Sequence, residues 1–273
     1  MAPAFTNATS EWVAGFGRFG LIAKGFVYSL SGFLAFLAAF EIGNVNEHDG
    51  SNNGIFSFIY ERPLGKIALA IVALGLICYT IWRYIEAIKD TEKKGSNTKG
   101  LMKRAAYFFS GTAYAGLAFV AIRFLVTQES SNGNSQQKFA AELLSKPFGQ
   151  WLVAIVAVII IGIGAWQAFM ALSGKYKKHV MQSNLGGKAQ GFVLRAGKVG
   201  YISRGIVWMI IGWLFIKAAF THDAKQAGGT ENAFQWLKES SYGSYLLAAV
   251  AVGLLCYGLF MFVRARYQPI HSA

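Results

Sequence analysis

Cysteine is scarce, at 2 in 273 residues, and both copies sit inside apolar runs, so no disulfide framework holds this chain together. Histidine is scarce too. His48, His179, His222 and His271 lie outside those runs, without the paired spacing that a zinc or haem site needs. Only 13 residues are acidic, and no pair of aspartates lies within an apolar run; Gly-x-Ser-x-Gly and His-Glu-x-x-His are also missing. Serine-hydrolase, metalloprotease and intramembrane aspartyl chemistry therefore have no carriers. The chain reads as a protein that is not an enzyme and takes no cofactor. Charged residues make up 14% and hydrophobic ones 54%. That balance, with a mean hydropathy of +0.39, excludes a disordered or fibrous chain.

Long apolar runs are abundant. A hydrocarbon core about 30 Å thick needs about 20 helical residues. Six stretches of that length run from Phe19 to Phe40, Lys66 to Ile88, Ala105 to Val126, Phe148 to Leu172, Val199 to Phe220 and Gly243 to Val263. None shows the alternation of barrel strands, so each is expected to be a transmembrane helix. Cutting the chain at these spans and pooling alternate connections places 18 of the 26 basic residues on one side and 8 on the other. Acids run the opposite way, leaving about +14 against −1. Both termini are expected in the cytoplasm, with the first span retained rather than cleaved as a signal.

This excess of positive charge reads as a topology signal and a cushion for anionic headgroups. Nucleic acid is not an expected partner, because no folded basic domain with aromatics among its charges is present. The Gly15-Phe16-Gly17-Arg18-Phe19-Gly20 string fits a dinucleotide pattern, but no strand precedes it. The segment around Trp12 and Phe16 reads either as an interfacial stretch or as an extension of the first helix.

Internal repetition organises everything else. Gly65, Gly149 and Gly243 open the even-numbered spans, and Ala70, Ala154 and Ala248 follow at one spacing, as do Val72, Val156 and Val250. In the odd spans Gly25, Gly111 and Gly205 coincide, with Tyr28, Tyr114 and Trp208 three residues on and Arg18, Arg104 and Lys198 seven residues earlier. The chain divides into a tail at 1–15, repeats at 16–97, 98–190 and 191–267, and a tail at 268–273. Each repeat returns the chain to its starting side, so the copies are parallel. The expected architecture is all-α: six transmembrane helices in three two-helix repeats with pseudo-threefold symmetry.

Small residues are expected at the helix seams: Gly25, Ser29 and Gly32, Gly111, Ala115 and Ala118, Gly205 and Gly212, and Gly75 and Gly253 on the even spans. The outer connections each carry a short amphipathic piece, anchored by Phe56 and Ile59, Phe139 and Leu143, and Phe234 and Leu237. Pro63 and Pro147 precede two even helices, where no helical hydrogen bond is lost.

An ionisable group within a span is a functional hypothesis by default. Lys24 and Arg204 share one repeat position, where the middle copy has Ser110. With Arg18, Arg104 and Lys198 they form a candidate site for an anion or lipid headgroup; the competing reading is that their long stems snorkel to the headgroups. Cys78 and Cys256 are equivalent, each followed by tyrosine, and read as packing residues.

The Gly-Arg/Lys-x-Gly opening (Gly17, Arg18, Gly20; Gly197, Lys198, Gly200), the Lys/Arg-Gly-x-x-Tyr/Trp continuation and the triplicated hairpin resemble bacterial membrane proteins of unknown function built from three two-helix repeats. The resemblance covers about Phe16 to Tyr267. It implies a bacterial inner-membrane location and carries no catalytic residue across. The second copy departs from the pattern, with Ala106 in place of the glycine. Two functions remain: a membrane component that binds lipid or a membrane protein partner, and a transporter or channel for a small solute along the pseudo-threefold axis. The first is favoured, since Ser29, Ser31 and Thr112 are almost the only polar groups a path would find at mid-span.

Overall fold

The computed structural model describes residues 4–90, 95, 97–127, 135–180 and 187–268. Side chains are described from Trp12 onward, except those of Asn44, Lys99, Ser135, Lys178, His179, Gly187 and Lys188. Among these residues the chain is all helical. Three short helices each stand between two of six long ones: α1 (Ala4–Ala39), α2 (Asn52–Tyr60), α3 (Gly65–Lys89), α4 (Thr98–Thr127), α5 (Ser135–Leu144), α6 (Gly149–Leu172), α7 (Gly187–Thr221), α8 (Thr230–Lys238) and α9 (Gly243–Tyr267). All six long helices are long and apolar enough to cross a membrane.

Even helices α3, α6 and α9 keep close to the expected limits. Odd helices α1, α4 and α7 begin earlier, most of all α1, which runs unbroken through Phe16 and Phe19 from Ala4. The stretch before the first span is therefore a helix extension. Polar residues end an apolar run without ending a helix, and no proline stands there to stop it. All three outer connections do contain a short helix. Phe56, Ile59, Phe234 and Leu237 are buried beneath α2 and α8, whereas Phe139 on α5 is exposed.

A tight turn joins each short helix to the next long one and explains the shared glycine. A Cβ at Gly65 would collide with the Ile59 carbonyl, one at Gly149 with the Leu143 carbonyl, and one at Gly243 with the Lys238 carbonyl. After Pro63 and Pro147 the turn places Leu64 and Phe148 in the left-handed region, at φ 61° and 60°. Tyr242 follows a serine and keeps a negative φ of −121°.

The long helices meet in cyclic order. Each odd helix packs on the even helix of the preceding repeat: α4 on α3, α7 on α6, and α1 on α9, which joins the first repeat to the last. Small residues make these approaches. A Cβ on Gly205 would stand 2.8 Å from the Gly164 carbonyl oxygen, one on Gly25 3.0 Å from that of Gly258, and one on Gly32 2.6 Å from that of Ala251. Away from these helices an ionic tie adds to the junction of first and last repeats. Lys238 on α8 contacts Glu47 at 2.7 Å and Glu41 at 3.0 Å, and His48 contacts Glu231 at 3.0 Å. The hydrogen bond that Lys238 donates to Glu47 raises its ammonium above the usual lysine range.

Within repeats the seams are unequal. Repeats 1 and 3 close, α1 on α3 and α7 on α9. Glycines within the odd helices cause this: a Cβ at Gly20 would lie 2.6 Å from the Tyr79 Cα, and one at Gly200 2.6 Å from the Tyr257 Cα. One turn further along, Gly75 faces Ala23 and Gly253 faces Ser203. The middle repeat has Ala106, Ile163, Phe109 and Ile159 at the corresponding positions. Among the described residues, α4 and α6 form no comparable seam. Phe109 is 71% exposed and Ile159 56%. Bulk at a position that needs a bare backbone keeps the two helices apart. The bundle is a six-membered ring with five seams and one opening. Burial follows: 56% of each other long helix's most apolar window is inside the protein, against 28% for α4 and 22% for α6.

Replacing Gly200 with leucine is expected to cost about 1–3 kcal/mol by forcing α7 off α9, whereas Ala106→Leu, facing the opening, should stay within about 0.5 kcal/mol. Chemical denaturation in detergent micelles measures both. Equal losses would contradict the open seam.

Candidate functional site: a cation and tyrosine cluster on the bundle axis

Lys24 lies near the middle of α1 and is only 4% exposed. Its Nζ donates to Tyr79 Oη at 3.2 Å and stands 4.9 Å from the Tyr79 ring centre, 4.8 Å from that of Tyr114 and 5.7 Å from that of Tyr257. Arg204, half-buried on α7, donates from Nε to Tyr28 Oη at 2.8 Å and from Nη1 to Tyr257 Oη at 3.0 Å. Its guanidinium lies 5.1 Å from both ring centres. These side chains turn into the bundle and do not snorkel.

The repeat explains the pattern. Each cation sits between the tyrosine of its own even helix and the tyrosine that the next repeat places on its odd helix. For Lys24 these are Tyr79 and Tyr114; for Arg204 they are Tyr257 and Tyr28. Tyr28 and Tyr257 rings meet edge-on at 4.8 Å, and Tyr79 and Tyr114 at 4.5 Å. In the third sector the repeat substitutes Ser110, Ile163 and Trp208. That sector, with neither cation nor phenol, is the one that opens between α4 and α6.

Charge in this layer is unbalanced. Glu86 is the one acid within the six apolar runs, and it is paired with Arg83. Arg83 also donates to Tyr79 Oη from Nε at 2.9 Å and Nη2 at 2.8 Å. Arg264, 4% exposed, bonds Gln268 at 2.8 Å and Tyr201 at 3.3 Å. Among the described contacts, Lys24 and Arg204 meet phenols and ring faces but no carboxylate. Taking a cation out of water costs several kcal/mol, and phenols with ring faces return only part of it. Three polar atoms nearby are buried and without a partner: Ser29 Oγ, Tyr114 Oη and Gln167 Oε1.

Of the six candidate residues, Lys24 and Arg204 thus converge, and half-buried Ser110 marks the equivalent place in the middle repeat. The other three do not join them. Arg104 caps the end of α3, donating to the carbonyls of Ala87 at 2.7 Å and Ile88 at 2.8 Å, a favourable place for a cation. Arg18 is exposed. Lys198 lines a cavity of about 290 Å³ with Lys177, Arg195, Tyr176 and Leu172, where α6 turns into α7. Sequence reasoning missed Tyr79 and Tyr257. Their signal was present in the matched Cys-Tyr pairs, where the cysteine drew attention and the tyrosine carries the contacts.

The fold defines an all-helical class: three two-helix repeats whose six long helices are apolar enough for a multi-pass membrane protein. The chain belongs to the family described as Domain of Unknown Function (DUF1206), matched three times, at residues 19–90, 105–174 and 199–268. It is similar to the Uncharacterized protein YxxB of Bacillus subtilis (strain 168), at 32% identity over 260 residues, which cover 95% of this chain and 93% of that protein. No solved structure matches.

Tyr257→Phe removes the acceptor from Arg204 Nη1 and should cost about 1.5–3 kcal/mol; Tyr79→Phe, which strips Lys24 and Arg83 together, should cost more. Urea titration of the purified variants in micelles gives both values. A neutral Tyr79→Phe would mean that the cluster is not held by its phenols.

Proposed function

We propose that this chain is a multi-pass protein of the bacterial cytoplasmic membrane, with both termini inside, that binds anionic lipid headgroups and catalyses no reaction. The bacterial relative, the six apolar helices and the one-sided distribution of basic residues support the location. One observation carries the binding role: Lys24 and Arg204 converge within the bundle with phenols for company and, among the described residues, no carboxylate in contact. Uncompensated cations in an apolar interior create a demand for an anion, and the phosphate of a membrane lipid is the anion most abundant beside such a bundle.

A solute path along the axis is the weaker reading. At the level of Lys24 the cations are flanked by the aromatic rings of edge-on tyrosine pairs, Tyr28 with Tyr257 and Tyr79 with Tyr114. Two of the three hydroxyls such a path would use are engaged, Ser31 with the Gly50 carbonyl at 2.6 Å and Thr112 with that of Phe108 at 3.2 Å, while Ser29 Oγ is buried without a partner.

Joint replacement of Lys24 and Arg204 by glutamine should lower retention of phosphatidylglycerol in native mass spectrometry by about tenfold or more while the helical content is kept. Undiminished retention would sink the proposal. Reporter fusions in the Lys175 to Lys188 connection should report a cytoplasmic position; an external signal would invert the topology.

A further inference from the structure

The opening between α4 and α6 coincides with the sector of the cluster that lacks its cation and phenol, and this double vacancy has one economical explanation. We infer that the open sixth seam is a lateral portal, through which one anionic diacyl phospholipid places its phosphate against Tyr114, Lys24 and Arg204 while its tails lie between α4 and α6. The inference rests on the headgroup reading above and adds to it the route, the stoichiometry and the residues of the middle repeat.

Four features support it. First, the seam is kept open by Phe109 and Ile159, where repeat 3 uses Ser203 and Gly253 in close contact. Second, the flanks it exposes are apolar: Phe109, Ile159 and Ile163 are exposed, whereas the corresponding residues of the closed repeats, Ala23 and Ser203, Gly75 and Gly253, and Tyr79 and Tyr257, are buried, and apolar flanks are what acyl chains require. Third, each flanking helix brings a buried polar atom without a partner: Tyr114 Oη from α4, a donor suited to a phosphate oxygen, and Gln167 Oε1 from α6, whose amide can present its nitrogen instead. Tyr114 is 7% exposed and Gln167 6%. Gln167 also borders Gly205, the neighbour of Arg204, since a Cβ there would lie 3.6 Å from the Gln167 Cβ. Fourth, the charge is complementary: the cluster on the axis is cationic, and Ser110 replaces the cation that threefold repetition would set in the open sector, leaving a hydroxyl there.

The test grafts the seam of repeat 3 into repeat 2. A chain carrying Ala106→Gly, Phe109→Ser and Ile159→Gly keeps Lys24, Arg204 and Tyr114 but lets α4 and α6 meet. After delipidation, wild type should take up one phosphatidylglycerol per chain in native mass spectrometry, and the grafted chain should lose at least about tenfold in affinity. Tyr114→Phe, which leaves the seam alone and makes no demand on folding, should lose about tenfold through the missing hydrogen bond to a charged oxygen. Binding that survives both changes but falls in the Lys24→Gln, Arg204→Gln chain would overturn the portal and leave the headgroup site standing. Binding indifferent to all three would remove the site as well. Displacement of the lipid by millimolar inorganic phosphate would identify a soluble anion and overturn the lipid assignment. A dimer that dissociates on grafting would show a second copy in the opening and overturn it equally.

Discussion

Helices as apolar as these gain little by hiding apolar faces from lipid, so contact between them is decided by how closely their backbones can approach. Four of the five packed seams show that constraint directly, with a glycine against the partner's backbone; in the fifth, α4 on α3, Gly111 makes room for the Tyr84 ring, and the one pair of neighbours furnished with phenylalanine and isoleucine stays apart. A ring of five seams follows from that alone. The opening is then a product of side-chain volume at three or four positions and needs no long loop or broken helix to create it.

The same repetition that builds the ring builds its centre. Because each odd helix packs on the even helix of the repeat before it, a side chain from one repeat is delivered between tyrosines of two repeats. Lys24 and Arg204 are held by equivalent neighbours although 180 residues separate them. The middle repeat has given up the cation, the phenol and the small seam residues together. Had it lost any one of them alone, the departure would read as drift. Their joint loss in one sector gives the cluster a direction, with two cations on one side and an unfilled gap on the other.

Much of this was legible before any coordinates. The six spans, the triplicated hairpin and the glycine stripes follow from apolar run length and from residue types recurring at fixed spacing. Gly25, Gly32, Gly205 and Gly212 lie where the stripes placed them, at close helix contacts. Lys24 and Arg204 were legible as a matched pair within the spans, but their direction was not, because a long cationic stem can reach either the headgroups or the axis and only the neighbouring tyrosines decide. Arg104 was grouped with them by repeat position and is occupied instead at a helix end. The open seam was visible as a departure at Ala106. Its meaning was hidden, because a glycine-to-alanine change is small until one knows that one turn further along Phe109 and Ile159 stand where the closed repeats pair Ala23 with Gly75 and Ser203 with Gly253.

Closure of the ring by α1 on α9 has a bearing on biogenesis. A chain made from its N-terminus releases α1 first, yet the surface that α1 presents through Gly25 and Gly32 is complementary to Gly258 and Ala251, which are synthesised more than two hundred residues later. Until the last helix arrives, α1 can dock only on α3, leaving its other flank without the protein surface that finally covers it. The α1/α9 seam thus forms only once α9 is made, and a ribosome that stops short of α9 leaves an intermediate with a bare glycine groove on α1, the kind of surface that membrane quality control can recognise.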